Sequence, residues 1–575
     1  MRKITGLPGA KGQTIGNILR MKPDSIVVKK EVVDIEAEIH KFRMAQQTYG
    51  NELDKLYEET LITLGEDAAA IMKAYKMILF DEEFFKKALK RVQDERISID
   101  YAISEEQKAV SKMFQMINDP YMRERGADIE NVCKELITYI NGKDPATDQI
   151  IYDRDFIVVA EDLSPADTIR IDKKYLRGMI TERGGITSHT VILAKTLGIP
   201  AVVGATGIME ATENASKIFL NGGEGYAYLD PEDSFIKEYG VIKKRQEKEM
   251  ELYDKAAIKQ AITLDGIPIS VCTNSGDMES IEGFREDICD GVGLFRTEFL
   301  YMSEKDYPTE EKQYEIYKQM ALKTNGKELI IRTLDIGGDK QLDYMNLPSE
   351  SNPFLGYRAI RICLDRKEIF LTQLRAILRA SNYGHVKIMF PMIVTVEELR
   401  MAKQMVKTAM TQLEEGNIPY NKEIETGIMI ETPASVLISD KLAKEADFFS
   451  IGTNDLIQYT TATDRMNDKV QYLYDVCNLS VLKAVYQVIQ NGHKAGIKVG
   501  MCGEAASDER LTPVWLGFGL DEFSMVPGQI GRIKYILGKL SKKEVEKLAA
   551  KVLELDTIHE VKEVLNQNIS NLMEK

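Results

Sequence analysis

The sequence contains no apolar run of membrane-spanning length, and its first residues lack the apolar core of a signal peptide. Its six cysteines are scattered, with no pair at metal-ligand spacing and no dense disulfide framework. We therefore expect reduced thiols, a cytoplasmic location and no insertion into a membrane.

Basic residues are too few to give the chain a positive charge. Against 75 Lys and Arg stand 90 Asp and Glu, so the formal net charge is −15. A negative surface repels polyanions, which makes nucleic acid and anionic membrane surfaces poor partners. A basic protein partner is compatible with this charge.

A nucleotide-binding phosphate loop is also missing from the sequence. No glycine-rich segment is followed by Lys-Ser or Lys-Thr, the pattern whose backbone amides cradle nucleotide phosphates. Once the segments below are assigned, no block remains that is long enough for an ATP-binding domain. The sequence therefore argues against ATP as a substrate.

The length of 575 residues exceeds what one hydrophobic core supports and predicts about three or four domains. Apolar positions at helical spacing predict an all-helical segment over 31–145. Apolar strands at 1–30 and 146–230 predict one α/β domain that these helices interrupt. A segment rich in Lys and Glu at 231–260 predicts a solvated linker helix.

The second half of the chain, 261–575, alternates apolar runs with helical stretches. The predicted strands are 267–272, 291–296, 329–333, 386–392, 426–431, 448–453, 498–503 and 522–527. Eight strand-helix repeats in about 300 residues have the length and rhythm of a closed (β/α)8 barrel. A doubly wound open sheet is the alternative. The predicted fold class is α/β, with a C-terminal TIM barrel and an N-terminal α/β domain that carries an all-helical insert.

One histidine follows a tight turn that opens a short helix. The pair Gly184-Gly185 gives the open turn, and either Thr187 or Ser188 can cap the helix. His189 then lies in the first helical turn, where amides and the helix dipole favour an anion such as a phosphoryl group on the imidazole. Lys195 adds positive charge nearby. A surface histidine beside a cap is the plainer interpretation.

Polar and reactive residues follow the predicted barrel strands at their carboxyl ends, where such barrels place their chemistry. They are Arg296, Arg332, Glu431, Asn454, Asp455 and Cys502, with Arg465 and Arg358 as further arginines. Guanidinium forks suit a small dianion that carries carboxylate and phosphate, and Glu431 and Asp455 offer the oxygen ligands that Mg²⁺ prefers. Taken singly, each could be a rim salt bridge or an inert core cysteine.

Together these residues could remove the phosphoryl group from an enol phosphate. Mg²⁺ and the arginines would neutralise the phosphoryl oxygens, and Mg²⁺ would also hold the departing enolate. Cys502, as a thiol, could protonate that enolate at carbon, and His189 could accept the phosphoryl group. The charged segment 231–260 would let the histidine domain move between the barrel and a second acceptor.

Long motifs identify a family. They lie at 184–189, 290–302, 331–340, 430–433, 452–456 and 501–504. These segments closely resemble enzyme I of the bacterial phosphotransferase system, and the resemblance extends over essentially the whole chain, including the helical insert and the domain order.

The resemblance implies phosphoryl transfer from phosphoenolpyruvate to a histidine and then to the phosphocarrier protein HPr, with release of pyruvate. It implies that His189, on a swivelling phosphohistidine domain, is phosphorylated at its distal nitrogen and that Cys502 is the proton donor. By the same resemblance, the ligands of phosphoenolpyruvate are Arg296, Arg332, Asn454, Asp455 and Arg465, and those of Mg²⁺ are Glu431 and Asp455.

Further expectations also follow from the resemblance. Thr168 is expected to hydrogen-bond the histidine, and Lys195 stands where an arginine is common in the family. Arg358, selected above from among the arginines of the barrel and not from the resemblance, is expected to support the site. The helical insert 31–145 is expected to bind HPr, and the barrel is expected to form a homodimer.

Two other functions use similar parts. A dikinase or synthase shares the histidine domain and the barrel but adds a nucleotide-binding domain, for which this chain has no segment. A non-catalytic regulator that senses phosphoenolpyruvate would have lost His189, Cys502 or a metal carboxylate, and all of these are present.

Overall fold

The computed structural model describes residues 2–21, 30–64, 66–115, 120–142, 154–163, 167, 171, 173–185, 188–338, 340, 342–467 and 469–574. The chain forms two compact units, Met1–Lys243 and Lys244–Lys575. The division falls inside a long helix, Asp233–Ala257, in the segment where the sequence predicts a linker helix.

A mixed sheet is the framework of the α/β part of the first unit. Its described strands are β1 (Arg2–Thr5), β2 (Leu7–Ala10), β3 (Gln13–Arg20), β4 (Phe156–Ala160), β5 (Leu176–Thr181), β6 (Ala201–Val203), β7 (Lys217–Asn221) and β8 (Tyr226–Leu229). Their spatial order is β1-β8-β7-β3-β4-β5-β6-β2. The pairs from β3 to β6 are parallel, and the outer pairs are antiparallel. Because β3 pairs with β4, the segments before and after the helical insert share one sheet. Two short helices, His189–Thr196 and Ile208–Ala211, accompany this sheet.

The insert between β3 and β4 is helical throughout its described residues. Its helices are Ile35–Leu64, Glu66–Leu79, Glu82–Glu95, Ile99–Gln115 and Pro120–Ile140. A separate core of large side chains holds them together, including Phe42, Tyr49, Leu53, Tyr75, Phe85 and Ile103. Apolar spacing predicts only the second half of the last helix, from 129. The helix starts earlier because Pro120 has the fixed φ that suits a first helical position.

The second unit contains a closed barrel. Its parallel strands are β10 (Pro268–Ser275), β11 (Gly291–Phe295), β12 (Glu328–Arg332), β13 (His385–Phe390), β14 (Thr426–Ile430), β15 (Phe448–Ile451), β16 (Lys498–Met501) and β17 (Glu522–Met525), with the short β9 (Ala261–Ile262) antiparallel to β10. The strand β10 pairs with both β11 and β17, which closes the ring. The predicted barrel is therefore confirmed, and the open-sheet alternative is wrong, since an open sheet would leave two unpaired edges.

Helices follow the barrel strands along the chain. The described ones are Met278–Glu282, Glu298–Met302, Glu310–Lys323, Ile360–Asp365, Lys367–Ala380, Val396–Glu415, Pro433–Leu437, Ser439–Leu442, Thr453–Thr460, Leu479–Ala495, Thr512–Phe518, Pro527–Leu537, Lys542–Leu553 and Ile558–Glu574. Sequence signals fix several of their starts. Thr395 and Glu398, for example, form a capping box at the start of Val396–Glu415. None of the helices in the described part of the chain is long and apolar enough to cross a bilayer.

A group of charged side chains lies at the amino-terminal end of the barrel, where β12, β13 and β17 begin. The Nζ of Lys387 lies 2.6 Å from Oε2 of Glu328 and 2.7 Å from Oε2 of Glu425. Glu522 has room inside the ring because residue 293 is glycine, and a Cβ there would collide with its carboxylate. Burial and the neighbouring carboxylate of Glu328 raise the pKa of Glu522 to about 8.

This raised pKa gives a prediction for stability. A carboxyl group whose folded pKa exceeds its unfolded value binds more protons when folded, so stability falls as pH rises from about 4.5 to about 8. Glu522→Gln cannot titrate, and we expect it to gain about 3 kcal/mol over the wild type between about pH 5.5 and 8.5. Urea unfolding followed by the fluorescence of Trp515, the one tryptophan, measures this difference. The control is Glu546→Gln on an exposed helix face, which should leave the free energy of unfolding close to the wild-type value at each pH. If the free energy of unfolding changed with pH in the same way for the wild type and E522Q, the prediction would be wrong.

Candidate active site

The carboxyl ends of the barrel strands carry the predicted site residues. Arg332 ends β12, Glu431 follows β14, and Cys502 follows β16. Asn454 and Asp455 lie in the first turn of the Thr453–Thr460 helix, directly after β15. Because all these strands are parallel, their carboxyl ends open at one end of the barrel.

Arg332 is buried between two carboxylates. Its Nη2 donates to Oε1 of Glu298 at 2.8 Å, and its Nη1 lies 3.0 Å from Oδ2 of Asp335. Burial opposes the charge of the guanidinium, but these two carboxylates outweigh it and raise the pKa of Arg332 above its ordinary value. The guanidinium is therefore a fixed cation held in one orientation.

Asp335 extends this arrangement to a second arginine. Its Oδ1 accepts a hydrogen bond from Nη2 of Arg358 at 2.8 Å, and the same Nη2 lies 3.2 Å from Oδ2 of Asp455. Arg465 continues the row, with Nη1 3.5 Å from Oδ1 of Asp455. Burial alone would raise the pKa of Asp335, but Arg332 and Arg358 hold it well below its ordinary value. Cations and anions thus alternate across the barrel end.

The sequence did not single out Glu298 and Asp335. Both lie inside quoted motifs, at 290–302 and 331–340, and each is close in the chain to an arginine that was selected. A buried guanidinium needs carboxylate partners, and this requirement is the signal that could have found them.

Glu431 is buried beside Asp455. Its Oε1 accepts the backbone N–H of Met392 at 2.6 Å, and a Cβ at Gly452 would lie 3.0 Å from its Oε2. Burial and the carboxylates of Asp455 and Asp335 raise the pKa of Glu431 to about 8. Met392 has a φ of 58°, a conformation that L-residues rarely adopt. Such a conformation persists only where the surrounding structure imposes it, and here it directs the N–H of Met392 at the carboxylate of Glu431.

Cys502 is buried in the barrel interior. It packs in a small cluster with Leu294, Ile330, Met389, Met429 and Phe448. Its backbone carbonyl accepts a hydrogen bond from Nδ2 of Asn274 at 3.0 Å. Burial raises the pKa of the Cys502 thiol to about 11, so the sulfur carries its proton at neutral pH.

Asn454 is bound to Glu504, the last residue of the cysteine motif at 501–504. Its Nδ2 donates to Oε1 of Glu504 at 3.1 Å, and the backbone N–H of Glu504 donates to its Oδ1 at 3.2 Å. Between them, Gly503 packs so closely on Thr453 that an added Cβ would collide with the threonine hydroxyl. The ends of β15 and β16 are therefore tightly joined.

Arg296 is the exposed member of the set. Its backbone N–H donates to the carbonyl of Ser275 at 2.8 Å. Its positive charge lowers the pKa of the Cys502 thiol, against the larger effect of burial. The structure thus joins Arg332, Arg358, Asp455 and Arg465 in one row of contacts through Asp335. The charges of Arg332, Glu431 and Arg296 act on the pKa of the Cys502 thiol, and Asn454 contacts Glu504.

The histidine segment belongs to the first unit. His189 begins the His189–Thr196 helix, as predicted, and Lys195 is exposed in its last turn. Ser188 occupies the N-cap position, but its hydroxyl makes no capping bond to the described part of the helix. Its backbone carbonyl instead accepts the N–H of Val191 at 3.0 Å. Thr187 and Thr168 lie outside the described residues.

No group of three or more His, Cys, Asp or Glu side chains within the described ranges has the geometry of a complete metal cage. Glu431 and Asp455 form a pair instead. Two protein carboxylates, completed by substrate oxygens and water, are the usual set for Mg²⁺.

Family models match three successive parts of the chain. Residues 5–125 match the N-terminal domain of PEP-utilising enzymes, and 152–225 match their mobile domain. Residues 250–542, which include all the barrel residues of the candidate site, match the PEP-binding domain of the same enzymes.

Full-length relatives give the same assignment. A phosphoenolpyruvate-protein phosphotransferase of Priestia megaterium is 40% identical over 561 residues, which cover 97% of this chain and 98% of the relative. That of Bacillus subtilis (strain 168) is 41% identical, with 98% of each chain covered. That of Listeria monocytogenes is 40% identical, with 98% of this chain and 99% of the relative covered. The chain therefore belongs to the phosphoenolpyruvate-protein phosphotransferase family, enzyme I of the bacterial phosphotransferase system.

Proposed function

We propose that this protein transfers the phosphoryl group of phosphoenolpyruvate to its own His189 and then to the phosphocarrier protein HPr, releasing pyruvate in the first step of sugar phosphotransfer. The observation that carries the proposal is the alternating row of guanidinium and carboxylate groups beside a protonated, buried thiol at one end of the barrel.

The arginines bind the anionic substrate. The proposed ligands of phosphoenolpyruvate are Arg296, Arg332, Asn454, Asp455 and Arg465. The pairing of Arg332 with two carboxylates supports this role, because it fixes the direction of the fork before substrate arrives. Arg358 supports the site by holding Asp455.

Glu431 and Asp455 are the proposed ligands of Mg²⁺. The residues fit the ion: Glu431 is a buried carboxyl group beside a second acid, and Oδ1 of Asp455 is buried with no hydrogen-bond partner among the described residues. When bound, Mg²⁺ would supply positive charge to the phosphoryl oxygens and to the enolate oxygen.

The reaction moves one phosphoryl group and one proton. The distal nitrogen of His189 attacks phosphorus, the bond from phosphorus to the enol oxygen breaks, and the electron pair leaves with the enolate. The thiol of Cys502 then gives its proton to the terminal carbon, which forms pyruvate. Its raised pKa supports this role, since the thiol is protonated when the enolate forms.

The domain organisation is part of the proposal. We assign 1–30 and 146–230 to the phosphohistidine domain, with Lys195 and Thr168 supporting His189. We assign 31–145 to HPr binding, 231–260 to the linker, and 261–575 to substrate binding and homodimer formation. The free thiols of the six cysteines are compatible with the reducing cytoplasm, where we place the reaction.

Labelling tests the function directly. Incubation of the protein with Mg²⁺ and phosphoenolpyruvate labelled in its phosphate should give a protein-bound phosphate that is labile in acid and stable in base. Addition of HPr should discharge that label. Labelling by ATP would favour a dikinase instead, and binding of phosphoenolpyruvate without any label would favour a regulator.

Cys502→Ala should slow pyruvate formation by about 10²- to 10⁴-fold, because the enolate loses its proton donor. Binding of Mg²⁺ and phosphoenolpyruvate should persist, since no proposed ligand is changed. Pyruvate release measured with lactate dehydrogenase gives the rate, and calorimetry gives the binding. Cys477→Ala, at another buried cysteine of the same unit, is the control. Unchanged turnover in C502A would remove Cys502 from the mechanism.

A further inference from the structure

We infer that Phe354 is a positioning residue that orients Arg465 for phosphoenolpyruvate and Arg358 for its contact with Asp455; this inference rests on the proposed function. Phe354 lies in the short Pro353–Leu355 turn, between β12 and the Ile360–Asp365 helix. The functional motifs at the strand ends do not include it.

The ring of Phe354 faces two guanidinium groups. The Cζ of Arg465 lies 5.6 Å from the ring centroid, and that of Arg358 lies 6.0 Å from it. A cation at this distance from an aromatic face is attracted by the ring quadrupole. The same two guanidinium groups also contact opposite oxygens of Asp455. Each arginine is thus held by a carboxylate and by the phenyl ring.

A hydrogen-bonded tyrosine fixes the turn to Arg358. The hydroxyl of Tyr459 donates to the carbonyl of Phe354 at 2.5 Å and accepts Nη1 of Arg358 at 3.1 Å. Burial raises the pKa of Tyr459 to about 12, so this hydroxyl keeps the proton that it donates. The position of the ring and that of the guanidinium are therefore coupled through one side chain.

The glycine pair of the 331–340 motif has a role in the same arrangement. Gly337 and Gly338 have φ values of 111° and 67°, in the region that favours glycine. A Cβ at Gly337 would collide with Cβ of Arg358, and one at Gly338 would lie 3.1 Å from the ring of Phe354. The two glycines thus let the arginine and the ring approach the backbone of this loop.

The turn itself is held from both sides. Both carboxylate oxygens of Glu350 lie 3.0 Å from the backbone nitrogen of Tyr357, and Arg361 donates to the carbonyls of Leu355 and Gly356. Ala359, directly after Arg358, has a φ of 54°, which a non-glycine residue keeps only where its surroundings impose it. The loop therefore presents Phe354 as a fixed surface.

The consequence falls mainly on Arg465. Its side chain is 26% exposed, whereas that of Arg358 is only 5% exposed. Without the ring, Arg465 gains rotamers directed into solvent, and substrate binding must order it again. The loss should therefore appear in the KM for phosphoenolpyruvate more than in kcat.

Substitution of the ring tests this inference. Phe354→Leu removes the aromatic face and should raise the KM for phosphoenolpyruvate about 5- to 20-fold, with kcat within about threefold of the wild type. Phe354→Tyr retains the face and should restore KM to within about twofold. Leu355→Ala, at an exposed position of the same turn, is the matched control and should leave both constants unchanged.

A double-mutant cycle separates positioning from general destabilisation. In an Arg465→Met background, Phe354→Leu should raise KM less than threefold, because the more exposed of the two guanidinium groups that the ring positions is gone. Equal effects of F354L in both backgrounds, or an unchanged KM in F354L, would overturn the inference. Absence of any label from phosphoenolpyruvate in the wild type would instead overturn the proposed function.

Discussion

His189→Ala is expected to take up no phosphate from labelled phosphoenolpyruvate. Imidazole is the nucleophile in the proposed transfer, and the phosphoramidate that it forms is labile in acid and stable in base. We expect the helix start to stabilise the phosphorylated form, because the amides of a first helical turn and the helix dipole favour negative charge. The alanine variant keeps the helix start but has no imidazole to carry the phosphoryl group.

Autoradiography after gel electrophoresis in alkaline buffer measures this loss. His559→Ala is the matched control, since His559 is an exposed helical histidine with 81% side-chain exposure. H559A should take up as much labelled phosphate as the wild type. Label that survives in H189A would show that another residue accepts the phosphoryl group, and the helix that begins at His189 would then have no part in the transfer.

Arg332→Met is expected to lower kcat/KM for phosphoenolpyruvate by about 10³-fold or more, because it removes a preorganised cation from the substrate. It should also destabilise the barrel unit by about 3–5 kcal/mol, since the buried carboxylates of Glu298 and Asp335 lose their shared partner. Steady-state kinetics and urea unfolding followed by Trp515 measure the two effects separately.

Two variants sharpen this test. Arg332→Lys keeps the charge but replaces the fork with one ammonium group, so it should recover more stability than activity. Arg285→Met removes an exposed arginine paired with Asp287 in the same unit, and it should leave activity near the wild-type level. Nearly normal kcat/KM in R332M would exclude this arginine from substrate binding.

Periodicity predicted the barrel because strands buried on both faces appear as apolar runs, and each of the eight predicted runs overlaps an observed strand. The first unit was harder to predict. The strand β5 includes Arg177 and Gly178, which interrupt its apolar run. Gly178 is needed there, since a Cβ would lie 2.9 Å from the side chain of Leu220. A further apolar run of the sequence, at 26–28, lies outside the described residues.

For the site, the sequence predicted local positions but not contacts between residues that are distant in the chain. Residues at strand ends could be selected because their position follows from the repeat itself. The contacts among them could not, since Arg332 meets Glu298 over 34 positions of the chain and Arg358 meets Asp455 over 97. Pairing of β11 with β12 brings Glu298 to Arg332, and the barrel brings the end of β15 near the loop that follows β12. The left-handed backbone of Met392 has no signature in the sequence.

The row of alternating charges described above also limits how this family can diverge. Three buried or partly buried guanidinium groups are balanced by three carboxylates, so a neutral substitution at any one of them leaves an opposite charge without compensation in a poorly solvated interior. Tolerated changes should therefore come as matched pairs, one acid lost with one base. We expect evolutionary drift at these positions to be concerted, even where the surrounding loops vary freely.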